Sequence, residues 1–261
     1  MRKPKAIELF LTIGLATAVV GCGGATVTED ADTAAETPAE VAESPEGGEG
    51  GEGGEGGEGG EGGEGGTEYS EGEQANADFE DVISGAELLT ALKEGGHVIY
   101  FRHAQTERDY ADQADPNMDL NDCETQRKLN DVGIQQAQDI GAAFSEKEIP
   151  VGDVITSEYC RAWQTADLAF GRHEKNPQLN FLPFEEYTDA QVVEMQENVM
   201  PLLTAAPESG QNTVIVGHDD IFEAATGIYP APQGLAYVLT PDGAGGFDLV
   251  ANMLPEEWAD L

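Results

Sequence analysis

His97-Val98-Ile99-Tyr100-Phe101-Arg102-His103-Ala104 is the stretch on which the fold of this chain turns. Val98 to Phe101 are β-branched or aromatic and read as a buried strand. The strand delivers Arg102 and His103, side by side, into a polar turn made of Gln105, Thr106 and Glu107. Open α/β sheets place their ligand crevice at the carboxyl ends of strands. Arginine offers a planar, always charged fork that matches phosphate. Histidine can attack phosphorus or carry a proton near neutral pH. Taken alone, the stretch also fits a strand that ends at the surface in two solvated polar residues.

Two further strands end in the same way. Val154-Ile155-Thr156-Ser157 leads through Glu158-Tyr159-Cys160 to Arg161, and Val214-Ile215-Val216-Gly217 leads to His218-Asp219-Asp220. Each opens into a helical pattern. Between and around them helical segments are predicted over 85–94, 132–147, 160–170 and 191–205, the last bent or broken by Pro201. A further strand is predicted at Leu179–Leu182, and a hairpin over 235–239 and 247–250. Residues 104–131 form a long polar stretch, of a length that is usually functional or disordered. Strands alternating with helices predict an α/β fold, a three-layer αβα sandwich with a mainly parallel sheet. Parallel strands share one rim, so Arg102, His103, Arg161 and His218 would converge there. Helix amino termini would add backbone donors for an anion. The domain holds only nine Lys or Arg residues, which gives the two converging arginines weight.

The formal charge of −39 over 261 residues excludes a general affinity for nucleic acid, which needs basic surface. It would also repel an anionic membrane face. The amino terminus is different. Residues 1–5 are basic, 6–20 are mostly apolar despite Glu8, and Val19-Val20-Gly21-Cys22 closes the run. This layout resembles a bacterial lipoprotein signal, which implies lipidation at Cys22, a membrane anchor and export to the cell envelope. An ordinary signal peptide with a chance cysteine is the alternative. Residues 23–78 contain no Lys or Arg, and Glu-Gly-Gly repeats without a break from Glu46 to Gly66. Repelling glutamates and unordered glycine can build no core, so the segment reads as a disordered tether. The expected organisation is a signal peptide over 1–22, a linker over 23–78 and one folded domain over 79–261.

Four stretches, in order, resemble the histidine phosphatase superfamily, also called phosphoglycerate-mutase-like. Arg102-His103-Ala104 takes the place of its Arg-His-Gly signature. Arg127-Lys128-Leu129-Asn130-Asp131-Val132-Gly133-Ile134-Gln135-Gln136-Ala137 matches its Arg-x-Leu-Thr-x-x-Gly-x-x-Gln-Ala stretch. Thr156-Ser157-Glu158-Tyr159-Cys160-Arg161-Ala162-Trp163-Gln164-Thr165-Ala166 matches Ser-Ser-x-x-x-Arg-Ala-x-x-Thr-Ala, and Val214-Ile215-Val216-Gly217-His218 matches Val-x-Val-Gly-His. The resemblance implies a nucleophile at His103, phosphate binding by Arg102, Arg161 and His218, a phosphohistidine intermediate, and no metal or other cofactor. It implies a small phosphorylated substrate; a monomer is expected. Two positions are open for the general acid: Asp219, or Glu185 or Glu186. Ala104 replaces the signature glycine. Asp109 stands where many members carry a phosphate-binding asparagine, and an ionised carboxylate there would oppose phosphate.

With Cys22 lipidated, Cys123 and Cys160 remain, and an exported location permits them to pair. Two buried free thiols are the alternative. A metal site from His103, His218, Asp219 and Asp220 lacks supporting local spacing. The functional expectation is an exported, membrane-tethered phosphomonoesterase. A module that binds phosphate or a phosphorylated ligand without turnover is the competing reading, and a phosphomutase the third.

Overall fold

The computed structural model describes residues 69–107, 112, 115–182 and 187–261. Cys22, the Glu-Gly-Gly repeat, Asp109, Glu185 and Glu186 lie outside the described residues. The elements run α1 (Glu71–Ala77), α2 (Gly85–Glu94), β1 (Val98–Arg102), α3 (Asp131–Glu146), β2 (Val151–Thr156), α4 (Cys160–Phe170) and β3 (Glu174–Lys175). They continue with α5 (Asp189–Leu203), β4 (Asn212–Gly217), α6 (Asp219–Thr226), β5 (Ala236–Pro241) and β6 (Phe247–Met253).

The six strands form one sheet in the order β3-β2-β4-β1-β5-β6. β3, β2, β4 and β1 run parallel, whereas β5 and β6 are antiparallel and close one side as the expected hairpin. β1 lies inside the sheet between β4 and β5, and all five of its residues are buried. Its alternate side chains serve opposite faces. Ile99 and Phe101 meet Leu88 and Leu92 of α2, Ile140 and Phe144 of α3, Ala162 and Ala166 of α4, and Trp258. Val98 and Tyr100 meet Met195, Val199 and Leu203 of α5, and Ile221 and Phe222 of α6. The result is the three-layer α/β arrangement the strand pattern predicts.

Three features depart from expectation. The strand predicted at Leu179–Leu182 is absent. β3 is instead the two exposed residues Glu174–Lys175 on the edge of the sheet. Pro177–Leu179 forms a single 3-10 turn, capped by Asn176, that drives Leu179 and Phe181 into the core. Apolar residues spaced by two there mark a turn folded over the sheet. Pro201 neither bends α5 short nor ends it, because it sits in the last turn and Val199 and Leu203 are both packed in the core. Finally, residues 70–78, read as part of the linker, hold α1. Ser70 and Glu73 form a reciprocal capping box at its start. Their acidic, glycine-containing composition is that of the linker, and only contacts with the distant 223–237 region give the helix a buried face.

Candidate active site

The parallel register brings the strand ends together. Arg102 of β1 is level with Gly217 of β4, and Val216 with Thr156 of β2. One residue further, His103 N–H donates to Gly217 O (3.0 Å) and Ser157 N–H to Val216 O (3.1 Å). Tyr100 reaches across from β1, donating through its hydroxyl to His218 O (2.7 Å) and accepting from His218 N–H (2.9 Å). Position 217 must therefore lack a side chain, since a Cβ there would lie 2.2 Å from that hydroxyl. Gly133 plays the same part at the start of α3, where a Cβ would meet the Gln105 carbonyl at 2.0 Å, two residues from His103.

Arg102, His103, Arg161 and His218, the four residues expected to converge, do so and are all buried. His103 Nδ1 lies 2.9 Å from Ala104 O, so Nδ1 carries the proton and donates. Nε2 is left with its lone pair. Arg161 Nε–H donates to that nitrogen at 3.2 Å, and an Arg127 guanidinium nitrogen lies at 3.3 Å. Burial, and then the charges of Arg161, Arg102 and Arg127, hold the His103 imidazole well below its usual pKa, so it is neutral. His218 is held neutral for the same first reason, with Arg161 the largest of the nearby charges. Its Nε2 is 2.7 Å from Ser157 Oγ, which already accepts from Tyr159 N–H. The serine proton therefore suits His218 Nε2, and His218 Nδ1 becomes the donor. That nitrogen and Arg102 Nε are buried without a hydrogen-bond partner. Such orphaned donors are costly in an apolar interior and suit an anionic oxygen.

The walls are aromatic. Tyr159 and Phe181 stack at 4.5 Å between ring centroids, and both meet the His218 ring edge-on. The Arg161 guanidinium lies 4.8 Å from the Tyr159 ring and 5.4 Å from that of Phe181. Ala104 N–H donates to Thr165 Oγ1 of α4. Cys123 and Cys160 are joined by a disulfide that ties the residue before Arg161 to a turn four residues before Arg127.

Two carboxylate neighbourhoods complete the site. Asp219 pairs with Arg102 at 2.5 Å. Its neighbour Asp220 is pushed up to about 7 by burial, then by the charges of Asp219 and Glu223. Asp112 is the unexpected member. It is buried, and its Oδ2 accepts from Arg161 (2.8 Å) and from Arg127 N–H (2.8 Å). Neither Arg127 nor Asp112 was singled out from sequence as a site residue. Arg127 carried a signal, heading one family-like stretch in a domain poor in cations. Asp112 carried none among so many acids.

A neutral imidazole with one lone pair, beside three guanidiniums and a second imidazole, offers a nucleophilic nitrogen among donors suited to an anion. The comparison with known families found a match: the model of the histidine phosphatase superfamily (branch 1) matches residues 98–197. His218 and the aspartate pair fall after the matched segment. No curated protein matches the chain by sequence. Among solved structures, the protein histidine phosphatase SixA complexed with tungstate is similar, with 15% identity and a TM-score of 0.44. That match covers 62% of this chain and 98% of the other. The phosphoserine phosphatase of Entamoeba histolytica in complex with 3-phosphoglyceric acid shows 15% identity and a TM-score of 0.43, covering 60% of this chain and 95% of the other.

Proposed function

We propose that this chain is a phosphomonoesterase that works through a phosphohistidine on His103 and needs no metal. The observation that carries the reading is the hydrogen bond from His103 Nδ1 to Ala104 O, which turns the Nε2 lone pair toward Arg161 and Arg127. That lone pair attacks phosphorus; the P–N bond forms as the bond from phosphorus to the ester oxygen breaks. Arg102, Arg127, Arg161 and His218 stabilise the charge on the phosphoryl oxygens. The leaving oxygen takes its proton from the Asp219–Asp220 pair, of which Asp220 holds a proton up to about pH 7. Water then attacks the phosphohistidine, gives its proton back to that pair, and inorganic phosphate leaves.

We propose further that the chain is exported and held at the membrane by a lipid-modified Cys22. The basic start, the apolar run and Gly21-Cys22 support that reading, together with a linker free of basic residues. Among the described residues no helix is long and apolar enough to cross a membrane.

Asp112 favours a second reading. Its carboxylate already neutralises Arg161 inside the anion site, which opposes a phosphoryl dianion and suits a module that binds weakly or without turnover. Hydrolysis of p-nitrophenyl phosphate by the full chain, with chelator present, separates the two. The phosphatase reading expects turnover that survives chelator and vanishes in His103→Ala. Phosphate binding without turnover in the unaltered chain would select the binding module.

A further inference from the structure

The stretch that emerges from the linker is built into the support of an active-site arginine. Arg102 does not hold its own orientation. One terminal nitrogen donates to Pro230 O (3.1 Å), the other to the Tyr229 hydroxyl (3.4 Å), and the guanidinium lies 5.1 Å from the Tyr229 ring centroid. With Asp219 on the same edge, both terminal nitrogens carry a partner, and Nε–H and the second N–H of the nitrogen on Pro230 O are left for a phosphoryl oxygen. Tyr229 and Pro230 lie in the irregular connection between α6 and β5, whose far end is tied to β1 and the turn after it: Arg102 N–H donates to Leu235 O (3.0 Å), Gly234 N–H to His103 O (2.9 Å) and Thr106 N–H to the Gln233 side chain (2.8 Å).

The near end, residues 229–231, is held by α1. Tyr229 N–H donates to Gly72 O (3.0 Å). Asn76 donates from Nδ2 to Ala231 O (2.9 Å) and accepts at Oδ1 from the Tyr237 hydroxyl (2.7 Å). One helix of seven residues thus binds the connection on both sides of Pro230 and pins it to β5. Phe79, just beyond the helix, packs edge-on against Tyr237 at 5.1 Å.

We propose that α1 is a positioning element for Arg102, with Asn76 its key residue, so that the end of the linker sets how well the site holds a phosphoryl anion. The chain of contact is short: Asn76 to Ala231, Pro230 to Arg102. Small displacements of a positioning group carry large costs in phosphoryl transfer. This rests on the phosphatase reading only for its kinetic readout.

The test uses the full chain with Asn76→Ala and Asn76→Asp, the second keeping an acceptor for Tyr237 but losing the donor to Ala231. Inorganic phosphate affinity is measured by calorimetry, kcat and KM with p-nitrophenyl phosphate, and amide exchange over residues 229–235, all well below each variant's Tm. We expect phosphate binding about fivefold weaker in both variants, the size of one lost hydrogen bond. Faster exchange at 229–235 and a lower kcat/KM should accompany it. A lowered Tm with unchanged phosphate affinity and unchanged exchange would overturn the proposal and leave α1 as a surface clasp. Should the unaltered chain neither bind phosphate nor turn over ester, the phosphatase reading fails by itself. Exchange over 229–235 then judges the coupling: faster in the variants supports it, unchanged overturns it.

Discussion

His103 and Arg127 are twenty-four positions apart, yet a guanidinium nitrogen of one lies 3.3 Å from the lone pair of the other. In the proposed mechanism that contact gives Arg127 the part of a third phosphoryl-binding arginine. Arg127→Ala should lower kcat/KM for p-nitrophenyl phosphate about a hundredfold, the usual cost of one lost transition-state donor, and Arg127→Lys should not restore it. Protonation states give a second expectation. The His103 imidazole is held well below its ordinary pKa, so the nucleophile stays competent as the pH falls through 6.5. Asp220, pushed up to about 7, must be protonated to serve as acid. The pH profile of kcat/KM should therefore decline above about pH 7, and Asp220→Asn should remove that alkaline limb. Arg102, His103, Arg161 and His218 were legible in the sequence because each lies at or shortly beyond the end of a short apolar run that reads as a buried strand. Asp112 was not, because its partners Arg161 and Arg127 reach it from separate parts of the chain.

At the scale of elements, the long polar stretch after β1 carries one covalent link. Cys123–Cys160 joins it to the first residue of α4 across 37 positions. In the chain-entropy picture closing such a loop contributes about 4 kcal/mol. Urea unfolding of Cys123→Ser should show a loss of that order. Phosphate binding should weaken with it, since the bridge ties the turn before Arg127 to the residue before Arg161. Helix limits were largely readable: the α2 stop at Gly95 and the α4 stop at Gly171 both have positive φ. β3 was not, because two exposed charged residues on a sheet edge have no apolar signature, while Leu179 and Phe181 imitate a strand from within a turn.

At the scale of the whole molecule, a lipoprotein-like leader and an acidic linker, read from composition, are joined in the proposal to the α/β domain. The proposed anchor has a direct check: a clickable palmitate analogue fed to cells making the full chain should label it, and Cys22→Ser should abolish the label and release the protein from membranes. The sequence by itself determined the α/β class, the shared rim of strand ends and the residue types gathered there. These follow from periodicity and from the rule that parallel strands present their carboxyl ends together. Only the tertiary structure decided the strand order β3-β2-β4-β1-β5-β6, the tautomer of His103, the seat of Asp112 and the recruitment of α1. Each of these depends on which distant backbone groups meet. Local pattern carries no record of that, because hydrogen bonds between remote segments are selected by packing and burial over the whole core.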